Sequence, residues 1–240
     1  MNPLLIDIGN TLTKVVVKGE KGFKVVFELD TARVKETPDL LINRITGKEL
    51  VVSSVVADLS DVIEKEIPSS LIVSPELRLP ITISYKSPQS LGADRIAAAC
   101  GSLDFYESSI VVMMGTATVI DLIVDRRFEG GAILPGIGMS IDCLSERTSK
   151  LPRLGEFRQV DFPGKSTEES IMAGITLMVS GAVGKVKERF NLPVLVTGGF
   201  AGSVKIEGRV VKDLIFRGLY RIWELNRGKS PGKFTCRKFP

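Results

Sequence analysis

Apolar residues open the chain in three short bursts, Leu4 to Ile8, Leu12 to Lys18 and Phe23 to Leu29, which read as strands with Lys18-Gly19-Glu20-Lys21-Gly22 as the turn between the last two. Thr37-Pro38-Asp39 predicts a helix to about Ile45, with Thr37 as N-cap and Pro38 at its first position. Val51 to Val56 and Leu71 to Val73 predict short strands around a polar helix near Leu59 to Lys65, and Ser90 to about Tyr106 predicts a helix capped by serine. The opening pattern then returns. Ile110 to Met114 is an apolar strand, Val112 to Val124 and Phe128 to Leu134 repeat the early strands, and Asp125-Arg126-Arg127 is their turn. Thr167-Glu168-Glu169 leads into a long apolar helix from Ser170 to Val186, Leu195 to Thr197 is a strand running into Gly198-Gly199, and Lys212 to Asn226 closes as an amphipathic helix. Strands followed by alternating helix and strand predict an α/β protein with mixed sheets flanked by helices. The repetition predicts two halves, 1–108 and 109–226, with a basic, mobile tail at 227–240.

Composition narrows the chemistry. The 240 residues are 44% hydrophobic and 25% charged, ordinary for a globular protein large enough to bury a core. Of the net charge of +4, five positive charges lie from Arg227 onward with no acidic residue among them, which leaves the body at −1 and no basic surface for nucleic acid. No leader pattern opens the chain, and the longest apolar stretch, Ser170 to Gly184, is broken by glycine and serine, so the expectation is a cytoplasmic protein without a membrane span. Cys100, Cys143 and Cys236 match no metal spacing. Histidine is absent, which excludes Ser-His-Asp and Cys-His nucleophiles and leaves carboxylates as the general bases.

Two polar glycine-threonine turns leave apolar strands about half a chain apart: Asp7-Ile8-Gly9-Asn10-Thr11 and Gly115-Thr116-Ala117-Thr118, the latter followed by Asp121. Glycine lets backbone approach an anion, free N–H and hydroxyl groups donate to phosphate oxygens, and a carboxylate at such a turn suits hydrated Mg²⁺. With Gly198-Gly199 these turns predict a nucleotide cleft between the halves. Gly92-Ala93-Asp94-Arg95 sets opposite charges in the first turn of a helix: Asp94 suits a proton acceptor held by the helix dipole, and Arg95 suits a bidentate grip on carboxylate or phosphate.

Together with Glu129-Gly130-Gly131-Ala132-Ile133-Leu134-Pro135-Gly136 and Thr197-Gly198-Gly199, these motifs closely resemble, in order, those of the type III pantothenate kinases, and the match runs from residue 3 to about Leu219. The resemblance implies two duplicated ribonuclease H-like halves of the actin, hexokinase and heat-shock chaperone ATPase superfamily. It also implies ATP-dependent phosphorylation of pantothenate to 4'-phosphopantothenate, the first step towards coenzyme A. Asp7, Ile8, Gly9, Asn10, Thr11, Leu12, Thr13 and Lys14 would form the first phosphate loop, with Asp7 holding Mg²⁺ through water; Thr116, Gly198 and Gly199 would also contact ATP. Asp94 would accept the proton of the pantothenate hydroxyl. Tyr85, Gly92, Ala93, Asp94 and Arg95 would bind the substrate, and Thr167 would reach it from the partner in a homodimer with composite sites. Ala173, Gly174, Ser180, Gly181 and Gly184 would allow close approach at the dimer interface. Met113 stands where the family has an aspartate that binds K⁺ or NH₄⁺, and a thioether is a poor ligand for a hard cation. Two alternatives stay open: a non-catalytic ligand-binding regulator on the same fold, and a sugar or acid kinase, against which the context of Asp94-Arg95 argues.

Overall fold

The computed structural model describes residues 2–227, so Cys236 and the expected mobile tail beyond Arg227 lie outside the described residues. The chain divides into two compact units, one formed by residues up to Gly101 with those from Leu214, the other by Ser102–Asp213.

In the first unit, β1 (Leu4–Ile8), β2 (Leu12–Gly19) and β3 (Gly22–Asp30) form an antiparallel meander, followed by α1 (Thr31–Glu36), α2 (Asp39–Ile45), β4 (Leu50–Ser54), α3 (Ala57–Glu66), β5 (Leu71–Ile72), β6 (Thr82–Ile83) and α4 (Ala93–Ser102). The sheet runs β3-β2-β1-β4-β5, with β4 parallel to β1 and β5 parallel to β4. Alternation sorts its faces. Leu4, Ile6 and Ile8 join Val15, Leu50 and Val52 in a core with Val34, Leu41, Ile45, Leu59 and Ile63 from the three helices. Leu5, Asp7, Val51 and Ser53 therefore project to the other face.

The second unit repeats this order. It contains β7 (Ser109–Met114), β8 (Ala117–Val124), β9 (Arg127–Pro135), α5 (Ile137–Arg147), α6 (Thr167–Phe190), β10 (Val194–Thr197) and β11 (Arg209–Val210). Its strands run β11-β10-β7-β8-β9, with β10 parallel to β7 and β11 parallel to β10, so each strand has a counterpart in the first unit. Both second strands carry a register shift, at Val15/Val16 and at Leu122/Ile123. The duplication expected from the returning pattern is present in the topology. The β8–β9 turn takes two left-handed residues, Asp125 (φ 48°) and Arg126 (φ 60°), the type I′ geometry that matches strand twist.

Several elements differ from the sequence reading. The helix start expected at Thr37 is displaced: Asp30 accepts from Arg33 N at 3.1 Å and nucleates α1, Thr37 ends that helix, and α2 begins at Asp39 with no side-chain cap. Ser90 is not the cap of α4, because it closes a 3₁₀ turn over Pro88–Ser90 and its hydroxyl donates to Ser87 O. Gly92 O accepts the first helical bond instead, and α4 ends at Ser102 rather than Tyr106. Helix α5 and strands β6 and β11 lack a counterpart in that reading. Helix α6, 24 residues, is long and apolar enough by length and composition to cross a membrane, which counting uninterrupted apolar residues did not reveal. Its Ile171, Met172, Ile175, Val179 and Val183 pack with Ile110, Val112, Met114 and Ile141 in the core of the second unit.

The closing helix α7 (Leu214–Asn226), assigned by chain order to the second half, packs on β1 and β4 of the first unit. Trp223 Nε1 donates to Glu49 at 2.6 Å, and the Asn226 amide brackets Arg78, accepting from its N–H and donating to its carbonyl. Against α4 the contact is backbone to backbone. A Cβ on Gly218 would overlap Ala97 O, and one on Gly101 would overlap Leu214 O. Only glycine permits this approach. Gly218→Ala is expected to destabilise by about 3 kcal/mol, since overpacking against backbone outweighs the gain in helix propensity, and to lower Tm by roughly 6–12 °C in a thermal melt. An unchanged Tm would show that the helices separate freely.

Candidate active site

Strand β1 ends at Asp7 and Ile8, where Gly9 N donates to Leu12 O at 3.1 Å and turns the chain into β2. Asp7 occupies the middle of a polar row across the sheet. It faces Lys14 on β2 and Ser53 on β4, and Lys14 in turn faces Glu28 on β3, bonding it at 2.7 Å. Lys14, expected among the phosphate-loop residues, is thus an ion-paired neighbour of the Asp7 carboxylate. Although Asp7 keeps a window to solvent, the protein crowded around it raises its pKa to about 7. Burial is the main cause and the charge of Asp94 the next; Ser53 and Lys14 oppose them.

Asp94 stands in the first turn of α4 and accepts from Arg95 N at 2.8 Å. A helix N-terminus and an adjacent arginine favour a carboxylate, which led the sequence reading to a dipole-stabilised anion. Burial outweighs both, and the pKa of Asp94 is raised. Gly92 makes room for this carboxyl, since a Cβ there would sit 2.5 Å from Asp94 Oδ1. Arg95 is buried, and its guanidinium lies 5.8 Å from the centre of the Tyr85 ring, within cation–π range. The first unit thus gathers Asp7, Tyr85, Gly92, Asp94 and Arg95 from segments far apart in sequence.

In the second unit, Thr116 tops an exposed turn in which Gly115 N donates to Ala117 O and Gly136 N donates to Thr116 O. Gly198, at φ 101°, presses on Met114, where a Cβ would meet Met114 C at 2.7 Å, and Phe200 N donates to Met114 O at 3.0 Å. The turns at Thr116 and at Gly198-Gly199 therefore meet at the end of β7, as convergence on one phosphate-bearing ligand requires. Asp121 lies buried mid-strand on β8, away from that turn. Met113 is buried on β7 opposite Val119 and Thr197. Thr167 is exposed at the first position of α6, behind Ser166, whose hydroxyl caps Glu169 N at 3.1 Å. Among the described residues no cluster of three His, Cys, Asp or Glu could hold a metal without help from a ligand. The residues that sequence reasoning missed are Ser53 and Glu28; their only signals were a polar pair ending an apolar strand and an acidic residue on an edge strand.

A sequence model of the family described as "Type III pantothenate kinase" matches residues 3–189. Similar curated proteins include the type III pantothenate kinase of Geobacter sulfurreducens, 32% identical over 255 residues and covering 93% of this chain and 99% of the relative. That of Thermosipho melanesiensis is 33% identical over 242 residues, covering 92% and 98%. Among solved structures, a Campylobacter jejuni protein named as a Baf family transcriptional activator aligns with a TM-score of 0.67 at 24% identity, covering 93% of this chain and 98% of that one. A Sinorhizobium meliloti protein named as a 2-dehydro-3-deoxygalactonokinase aligns at 0.60 with 13% identity, covering 95% and 100%. These likenesses show the fold alone, two mixed sheets flanked by helices.

The raised pKa of Asp7 sets a pH dependence. Between the ordinary value of 3.8 and about 7 the folded chain holds a proton that the unfolded chain has released, so this group's contribution to stability falls as pH rises through that window. Asp7→Asn carries no such penalty. Without nucleotide or Mg²⁺, the variant should melt several degrees above the parent at pH 8, with the difference shrinking towards pH 5. Equal melting temperatures at pH 8 would contradict the burial of this charge.

Proposed function

The chain belongs to the type III pantothenate kinase family, and from that premise we propose that Asp94 is the base and Asp7 the cation-binding carboxylate of its reaction. The reaction is ATP-dependent phosphorylation of pantothenate in coenzyme A biosynthesis. The observation that carries the assignment is the pair itself: Asp94 acts on Asp7 through its charge, and Arg95, next to Asp94, lies against Tyr85. A raised pKa makes Asp94 a stronger base than an exposed aspartate. It takes the hydroxyl proton as the oxygen–phosphorus bond to the γ-phosphoryl group forms and the bond to the ADP oxygen breaks. Because that transition state is loose, positioning counts for more than base strength. Arg95, steadied by the Tyr85 ring, grips the pantothenate carboxylate bidentately, and Gly92 leaves the Asp94 carboxyl room to face the hydroxyl. In the first unit the loop from Asp7 to Lys14 suits ATP phosphates, and in the second Thr116 with Gly198 and Gly199 forms a nucleotide-binding turn.

Asp7 fits Mg²⁺ held through water, because Mg²⁺ takes one or two carboxylates with substrate phosphates and keeps several waters, and because Asp7 lies beside a like charge that a cation would offset. When bound, Mg²⁺ supplies neutralising charge to the phosphates. The donor set does not fit the family's monovalent cation: the buried Met113 thioether, between Val119 and Thr197, offers no anionic oxygen where the family has a carboxylate. The homodimer draws support from the outer face of α6, where Gly174, Leu177, Gly181 and Gly184 are exposed and Thr167 stands open for a substrate in the partner. The reading places the enzyme in the cytoplasm. No observation favours the non-catalytic alternative.

An ADP-release assay with pantothenate and, separately, several sugars tests the reading, which expects turnover with pantothenate alone. Asp94→Asn should lower kcat by about 10²- to 10⁴-fold in a folded protein that still binds ATP; near-normal kcat would remove Asp94 from the role. Exchanging Na⁺ for K⁺ at equal ionic strength should change the rate by less than about twofold, whereas a tenfold rise with K⁺ would mean that other groups rebuild the ion site.

A further inference from the structure

Ser53 is fully buried, and its hydroxyl, sealed from solvent, forms no hydrogen bond in this structure. A buried hydroxyl without a partner destabilises a fold, and alanine would fill the same place without that cost. The parallel pairing of β1 with β4 puts Ser53 beside Asp7 on the same face of the sheet. The hydroxyl is near enough to favour a charged Asp7, though outside hydrogen-bond geometry with it. On the opposite flank Asp7 faces Lys14, which Glu28 restrains. The carboxylate therefore lies between an ammonium group on one side and a hydroxyl that lacks a bond on the other.

We propose that Ser53 is a positioning residue for the kinase reaction, donating its hydroxyl to Asp7 when the hydrated cation and nucleotide phosphates engage that carboxylate, and so holding one carboxyl oxygen back while the other faces the ligand. This rests on the role given to Asp7 above. The bond is charge-assisted, of the stronger class, and forms only in the loaded state. Ser53 itself touches neither substrate nor cation. A merely structural serine would instead be neutral, or better replaced by alanine.

Ser53→Thr and Ser53→Val, isosteric with each other, separate the hydroxyl from its packing, and Ser53→Ala removes both hydroxyl and bulk. Calorimetric titration of Mg²⁺·ADP into each folded variant is expected to give a dissociation constant about tenfold weaker for Val and Ala than for the parent, with Thr close to the parent. In the pantothenate assay kcat should fall about tenfold in Val and Ala, while KM for pantothenate stays within about twofold. If Thr and Val bind Mg²⁺·ADP equally, or Ala matches the parent, the proposal is overturned. If the parent does not phosphorylate pantothenate at all, the reading of the reaction fails, and the Thr–Val comparison of Mg²⁺·ADP affinity still decides the role of Ser53.

Discussion

The crossing of α4 and α7, backbone on backbone at Ala97, Gly101, Leu214 and Gly218, is the constraint on which the first unit depends. Helix α7 packs on β1 and β4, the strands that carry Asp7 and Ser53, and α4 carries Asp94 and Arg95. With no side chain between them, the two helices cannot slide by a rotamer change, so α7 fixes the distance between two carboxylates that contribute nothing to each other's stability. Helix α7 thereby sets the geometry of the first strand.

Holding those carboxylates together opposes folding. Asp7 is raised by burial and by Asp94, and Asp94 by burial. The fold tempers the cost through Ser53 on one flank and Lys14 on the other, without removing it. That is the usual compromise at a site that must receive cations: a pocket of unbalanced negative charge is unfavourable when empty and favourable when Mg²⁺ and a phosphorylated ligand arrive. The second unit makes no comparable investment at the matching position, since Met113 and Val119 are apolar there. Duplication supplied a glycine turn at the end of each first strand, and only the first carries a strand-end carboxylate.

Most of the sheet was legible because alternation and turn residues act locally. The three opening strands and the Asp125-Arg126 turn end within two residues of their expected limits. Local rules failed where two signals competed. Asp30 and Thr37-Pro38 are both helix starts, and the residues between them, to which the apolar pattern assigned no element, form α1. Ser90 could cap a helix, but Pro88 drew it into a 3₁₀ turn and left Gly92 to begin α4. Asp7, Asp94, Arg95 and the glycine turns were legible as motifs. Ser53 was not, because its partner is defined by the register of β1 against β4, a pairing that skips two strands and two helices. The place of α7 was hidden for the same reason: chain order says nothing about which sheet a final helix covers.

The central claim is that this chain moves the γ-phosphoryl group of ATP to the hydroxyl of pantothenate. Mass spectrometry of the small molecules after incubation of the full chain with ATP bearing ¹⁸O in its γ-phosphate, Mg²⁺ and pantothenate tests it most directly. The account predicts that pantothenate gains one phosphoryl group carrying the label, with one ADP formed per product. ADP with labelled inorganic phosphate and unmodified pantothenate, or bound ATP with no turnover, would contradict it.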